Sequence, residues 1–103
     1  MNFDVRISEQ AEDDLRGIFE YIAFELLAPE SAIGQLDRLE EAISGLDRMP
    51  KRFKSYEKEP WLSRGLRVLT VDNYLVFYIP DMKEKTVTVI RVMYGRRDID
   101  KEL

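Results

Sequence analysis

The stretch Thr86 to Asp98, T-V-T-V-I-R-V-M-Y-G-R-R-D, limits the fold more than any other. Its first nine residues are mostly β-branched or aromatic, the types that fit a pleated sheet. Side chains alternate along a strand, so Thr86, Thr88, Ile90, Val92 and Tyr94 share one face and Val87, Val89, Arg91 and Met93 the other. Both faces are largely apolar, which predicts a central strand covered on both sides. Arg91 interrupts an otherwise apolar face. A guanidinium among Val and Met is costly if buried alone, so it is expected in a partly wet groove or against a carboxylate. Gly95 ends the strand, and an extended continuation puts Arg97 on the face of Arg91.

The rest of the chain supplies partners for that strand. Phe3, Val5 and Ile7 alternate with Asp4 and Arg6, predicting a short half-buried strand. Ser8 is placed to cap a helix whose first turns carry Glu9, Glu12, Asp13 and Asp14, where the helix dipole favours negative charge. Ala11, Leu15, Ile18, Phe19, Ile22 and Leu26 form one helical stripe; Ala32, Ile33, Leu36, Leu39, Ile43 and Leu46 form a second. Ala28-Pro29 separates them, so the two helices make an antiparallel hairpin. Lys51 to Ser63 mixes charges with Phe53, Tyr56 and Trp61 and reads as a loop. Leu66–Val71 and Tyr74–Ile79 are two further strands joined by an Asp72-Asn73 turn. The expected architecture is one α+β domain over residues 1–103: an N-terminal strand, a helical hairpin, then a three-stranded antiparallel meander completing one sheet.

Composition narrows the chemistry. With neither Cys nor His, thiolate metal sites are excluded and so is the commonest general base, leaving Arg, Lys, Tyr, Asp or Glu for any catalysis. No metal or cofactor is expected. No apolar run is long enough to span a membrane and no basic-then-apolar leader is visible, so a cytoplasmic location is expected. The net charge of −4 conceals an asymmetry: residues 1–50 hold four basic and twelve acidic residues, so the second half is basic. Such a division can mark a binding surface for a charged partner.

Three segments carry a resemblance: I-S-E-Q-A-E-D-D-L-R-G-I-F-E-Y-I-A from Ile7, N-Y-L-V-F-Y from Asn73, and V-M-Y-G-R-R-D from Val92. In this order, over the whole length, the chain resembles the RelE/ParE superfamily of toxins from type II toxin–antitoxin modules, the plasmid-stabilisation type. The resemblance implies a cognate antitoxin as protein partner, and operator DNA contacted only through that complex. It leaves three activities open. ParE-like members poison DNA gyrase, RelE-like members are ribosome-dependent endoribonucleases that cut messenger RNA, and an inactive member would serve only as antitoxin partner and co-repressor.

For a ribonuclease, the resemblance implies Arg67, Arg91 and Arg97 around the scissile phosphate, with Tyr78 or Tyr94 as proton carrier. Cations there would stabilise an anionic phosphorane, and a phenol could move protons. Lys51, Arg52, Lys54, Arg64 and Arg96 are the expected contacts to target or nucleic acid, and Met93, beside the helical hairpin, the expected antitoxin contact. The G-R-R-D ending after an aromatic residue looks closer to the ParE side.

Overall fold

A computed structural model describes residues 2–103 and shows a helical hairpin laid on one face of a five-stranded sheet. Strand β1 (Asp4–Ile7) leads into α1 (Glu9–Glu20), a wide π-helical turn (Tyr21–Glu25) and α2 (Pro29–Ser44). Two 3₁₀ turns, Gly45–Asp47 and Pro50–Arg52, precede β2 (Lys54–Ser55), β3 (Arg67–Val71), β4 (Tyr74–Asp81), β5 (Thr86–Tyr94) and the short α3 (Ile99–Glu102). The sheet order is β1-β5-β4-β3-β2, with β1 parallel to β5 and every other pair antiparallel.

Local chemistry sets these elements. The Ser8 hydroxyl accepts the Ala11 N–H at 3.0 Å, capping α1, and donates to the Ile90 carbonyl at 3.0 Å, so one side chain starts the helix and ties it to β5. Pro29 opens α2 at a position where its missing N–H costs nothing. Asp72 adopts φ 55° in the β3–β4 turn, where Arg38 and Gln35 of α2 both donate to its carboxylate, at 2.8 and 3.0 Å.

Two apolar layers result. Between helices and sheet lie Leu15, Leu39, Ile43, Leu46, Leu69, Val76, Tyr78, Val87, Val89 and Val92. Beneath the sheet, Leu66, Phe77 and Met93 are covered by Tyr56, Trp61, Ile99 and Leu103. Each fully buried aliphatic or aromatic side chain contributes about 1.5–3 kcal/mol relative to exposure.

Several expectations need correction. The β4–β5 register shifts between Phe77 and Tyr78, which puts a bulge at Ile90. The extra residue changes the alternation, so Val92 joins Val87 and Val89 in the helix-side core while Met93 lies on the opposite face. That second face is covered, as expected for a strand apolar on both sides, and what covers it is the Tyr56–Leu66 segment and α3. The sheet has five strands rather than four, because Lys54–Ser55 pairs with β3 inside the stretch read as a loop. Leu26 and Ile33, placed in the apolar stripes, are 56% and 54% exposed. For Leu26 the reason is the π turn, whose extra residue rotates the chain beyond it off the α-helical stripe.

Candidate functional site

Arg91 is the lone cation on an apolar strand face, and the structure gives it a carboxylate. Past Ile7, β1 no longer covers the edge of β5, and α1 takes over. Asp14 lies between Ala11 and Leu15, the two fully or nearly buried positions of α1, and so faces this edge. Its carboxylate accepts Arg91 Nε at 2.8 Å, Arg91 Nη2 at 3.0 Å and the Val92 N–H at 2.9 Å. Arg91 Nη1 donates to the Glu102 carbonyl of α3 at 2.8 Å. The two side chains are 11% and 15% exposed. Hydrogen bonding to Asp14 outweighs burial and raises the Arg91 pKa further, so the guanidinium is permanently charged and locally neutralised.

The other basic residues do not converge on it. Arg67 lies opposite Tyr78, which belongs to the helix-side core, whereas Arg91 lies opposite Phe77 of the other layer. Arg67 and Arg91 therefore start from opposite faces of the sheet. Arg67 Nη1 donates to the Phe53 carbonyl at 2.6 Å and the Lys51 carbonyl at 3.1 Å, bracing the 3₁₀ turn. Arg97 does not continue the strand. Gly95 N–H donates to Asn73 O at 2.8 Å and Arg97 N–H to Tyr94 O at 3.1 Å, so the chain turns at Gly95. A Cβ at Gly95 would stand 3.2 Å from Asn73 O, which explains glycine at this close approach. Arg97 stays half exposed, 3.8 Å from the Glu102 carboxylate.

The two tyrosines differ sharply. Tyr78 is fully buried and its hydroxyl donates to the Pro50 carbonyl at 2.5 Å; burial pushes the phenol up to about 12. Tyr94 is 40% exposed and packs edge-on against Tyr74, ring centres 5.7 Å apart. Lys51, Lys54 and Arg96 are exposed. Arg52 and Arg64 lie over the rings of Phe53 and Trp61, at 4.6 and 5.2 Å. Met93 is 2% exposed and lies at the edge of a groove beside the hairpin, with little surface of its own. Among the described residues, no group of three or more possible ligands could hold a metal ion, and no helix is long and apolar enough to cross a membrane.

What the fold does build is a groove of about 860 Å³ between the hairpin and the end of the sheet, bordered by Ile18, Tyr21 and Leu26 on one side and Tyr74, Tyr94 and Arg97 on the other. Burial, with the neighbouring Tyr94 and Tyr21 phenols, raises the Tyr74 pKa, so its hydroxyl stays neutral. The sequence singled out Tyr94 as a proton carrier and Arg97 on the face of Arg91, not in a groove against the hairpin, and it did not single out Tyr21, Tyr74 or Asp14. Asp14 was the most accessible of these, since a carboxylate beside an apolar stripe is the natural partner for a lone strand arginine.

Fold and site define a small α+β domain with a tyrosine-bordered groove beside its helical hairpin. The chain matches the family described as ParE toxin of type II toxin-antitoxin system, parDE, over residues 5–99, and it belongs to that family. None of the curated proteins matches it. Solved structures share the fold. A chain of the chromosomal ParDE system from P. aeruginosa aligns with TM-score 0.72 and 19% identity, covering 89% of this chain and 95% of that one. For the RelBE2 toxin–antitoxin complex from Mycobacterium tuberculosis the values are 0.65, 23%, 91% and 99%. For a variant of E. coli RelE toxin in the free state they are 0.69, 12%, 99% and 93%. At these identities the likeness concerns the fold alone.

Proposed function

We propose that this toxin-family chain acts by docking, in the ParE manner, on DNA gyrase, and that a cognate antitoxin neutralises it by filling the groove. The observation that carries the first half is the Asp14–Arg91 pair. A ribonuclease without metal needs uncommitted cations and a titrating group around one phosphate. Arg91 is neutralised by Asp14, Arg67 braces carbonyls on the other sheet face, and the Tyr78 phenol is buried with a pKa of about 12. Arg97 and Tyr94 alone remain exposed near one another in the groove. An aromatic groove is better suited to a protein segment, and antitoxin complexes among the structures of the same fold support that occupant. Tyr74, Tyr94 and Arg97, around the Met93 position expected for the antitoxin, would make most of the contacts.

The test sets a gyrase supercoiling assay beside a ribosome-dependent messenger-cleavage assay with the purified chain. Inhibited supercoiling with intact messenger is the expected result. Cleaved messenger with unaffected supercoiling overturns the docking reading in favour of the ribonuclease. Silence in both leaves the antitoxin-partner and co-repressor role.

A further inference from the structure

The hairpin tip carries an apolar surface that continues beyond the groove. Tyr21, Phe24, Leu26 and Leu27 are 55%, 67%, 56% and 82% exposed, four large apolar side chains within seven residues. Tyr21 and Leu26 border the groove, but Phe24 and Leu27 are not part of its lining and extend the apolar surface beyond it. Isolated exposed apolar residues need no explanation, whereas a contiguous group does.

Two backbone features hold this group outward. Tyr21–Glu25 is a π-helical turn, a rare geometry often found where a helix serves a binding role. Leu27 then takes φ 54°, a left-handed conformation unfavourable for a residue with a side chain, and that conformation accompanies the most exposed large apolar residue among those described. In the free chain neither the strain nor the exposure is favourable.

Charge says what covers the tip. From Gly17 to Asp37 there is no Lys or Arg, while Glu20, Glu25, Glu30 and Asp37 are all exposed. None of these four carboxylates enters an ion pair among the described residues. Unpaired carboxylates on both helices leading to an apolar tip repel nucleic acid, anionic membrane and the same surface of a second copy. They attract an apolar protein face rimmed by Lys or Arg.

We propose that the outer part of the tip, centred on Phe24 and Leu27, is the surface by which this chain seats on its target, and that the target presents an apolar patch ringed by basic side chains. This rests on the toxin reading, and it sets the target surface beside the antitoxin groove, with Phe24 and Leu27 outside the groove lining.

The test is the double variant Phe24→Ser/Leu27→Ser. Both side chains are mostly exposed, so circular dichroism should match the parent chain. Expression of the variant should no longer arrest growth, while a cognate antitoxin still co-purifies. Retained arrest overturns the proposal, as does joint loss of arrest and antitoxin binding by a folded variant. Should the parent chain itself fail to arrest growth, the toxin reading falls, and binding of designed peptides decides the surface separately. A Leu/Lys amphipathic helix should bind the parent chain at least about tenfold more tightly than its Leu/Glu counterpart, with the preference lost in the variant. Equal binding of both peptides, adsorption to phosphatidylcholine vesicles in place of peptide binding, or self-association that the substitutions abolish would each overturn it.

Discussion

The Asp14–Arg91 pair admits a quantitative test of the idea that Arg91 is a structural rather than a phosphate-binding cation. Asp14→Ala strands a guanidinium that is 11% exposed and removes the acceptor of the Val92 N–H. Breaking a buried pair from one side costs about 3–5 kcal/mol, because the remaining charge is left uncompensated. The residual accessibility of both groups puts the expected loss at the low end, about 3 kcal/mol. With a urea m-value of about 1.5 kcal/mol/M, the midpoint should fall by about 2 M. Asp14→Asn retains an acceptor for Val92 and should lose about half as much. In the Asp14→Ala/Arg91→Ala double variant the uncompensated charge is gone, so the double-mutant cycle should return a coupling of at least about 1.5 kcal/mol. A loss below about 1 kcal/mol for Asp14→Ala, with additive single changes, is the behaviour of a solvent-exposed pair and would refute the reasoning. Arg91 would then again be available to a phosphate.

Two further outcomes are expected from the same geometry. Tyr78→Phe leaves the Pro50 carbonyl without its buried donor and should cost about 1–2 kcal/mol in urea unfolding while leaving growth arrest unchanged; lost arrest in a folded Tyr78→Phe chain would restore Tyr78 as proton carrier. Hydrogen bonds from Lys58 and then Tyr56 hold the Asp100 carboxyl below its ordinary value of 3.8. A depressed folded-state pKa stabilises above the unfolded value and loses that contribution as pH falls through the folded one. The attachment of α3 should therefore loosen only below about pH 4. Trp61, the chain's single tryptophan, packs in the same layer as Ile99 and Leu103 and reports the change as a red shift in emission. Asp100→Asn should show the shift already at neutral pH; an identical profile in both chains would mean that Asp100 does not hold α3.

The fold was legible wherever one periodicity persisted. The hairpin followed from two stripes split at Ala28-Pro29, the helix start from Ser8, and the meander from the largely apolar runs on either side of Asp72-Asn73. Legibility failed where a single residue is inserted into the period. One bulge at Ile90 exchanged the faces of Val92 and Met93, and one π turn moved Leu26 from core to surface. Neither insertion has a compositional mark, because the same side chains would suit the uninterrupted strand or helix. Lys54–Ser55 was missed for a different reason. Two residues carry no period, and their pairing exists only because β3 is already in place.

The site was legible as residue types but not as an arrangement. Arg67, Arg91 and Arg97 each had to be accounted for, and each is, but by different neighbours: carbonyls of the Pro50 turn, Asp14 of α1, and the rim of the groove near Glu102. Strand position alone could not separate these fates. Whether a strand arginine meets solvent, a helix carboxylate or a backbone carbonyl depends on the element laid against that edge, and β1 is too short to cover the end of β5 where α1 takes its place. The charge asymmetry, by contrast, survived intact from sequence to structure. Charge along a helix pair stays on that pair whatever the register, so the acidic stretch from Gly17 to Asp37 necessarily surrounds the hairpin tip. Long-range electrostatics could thus be read before the fold was known, whereas a hydrogen-bonded pair such as Asp14 with Arg91 depends on the last few ångströms of packing.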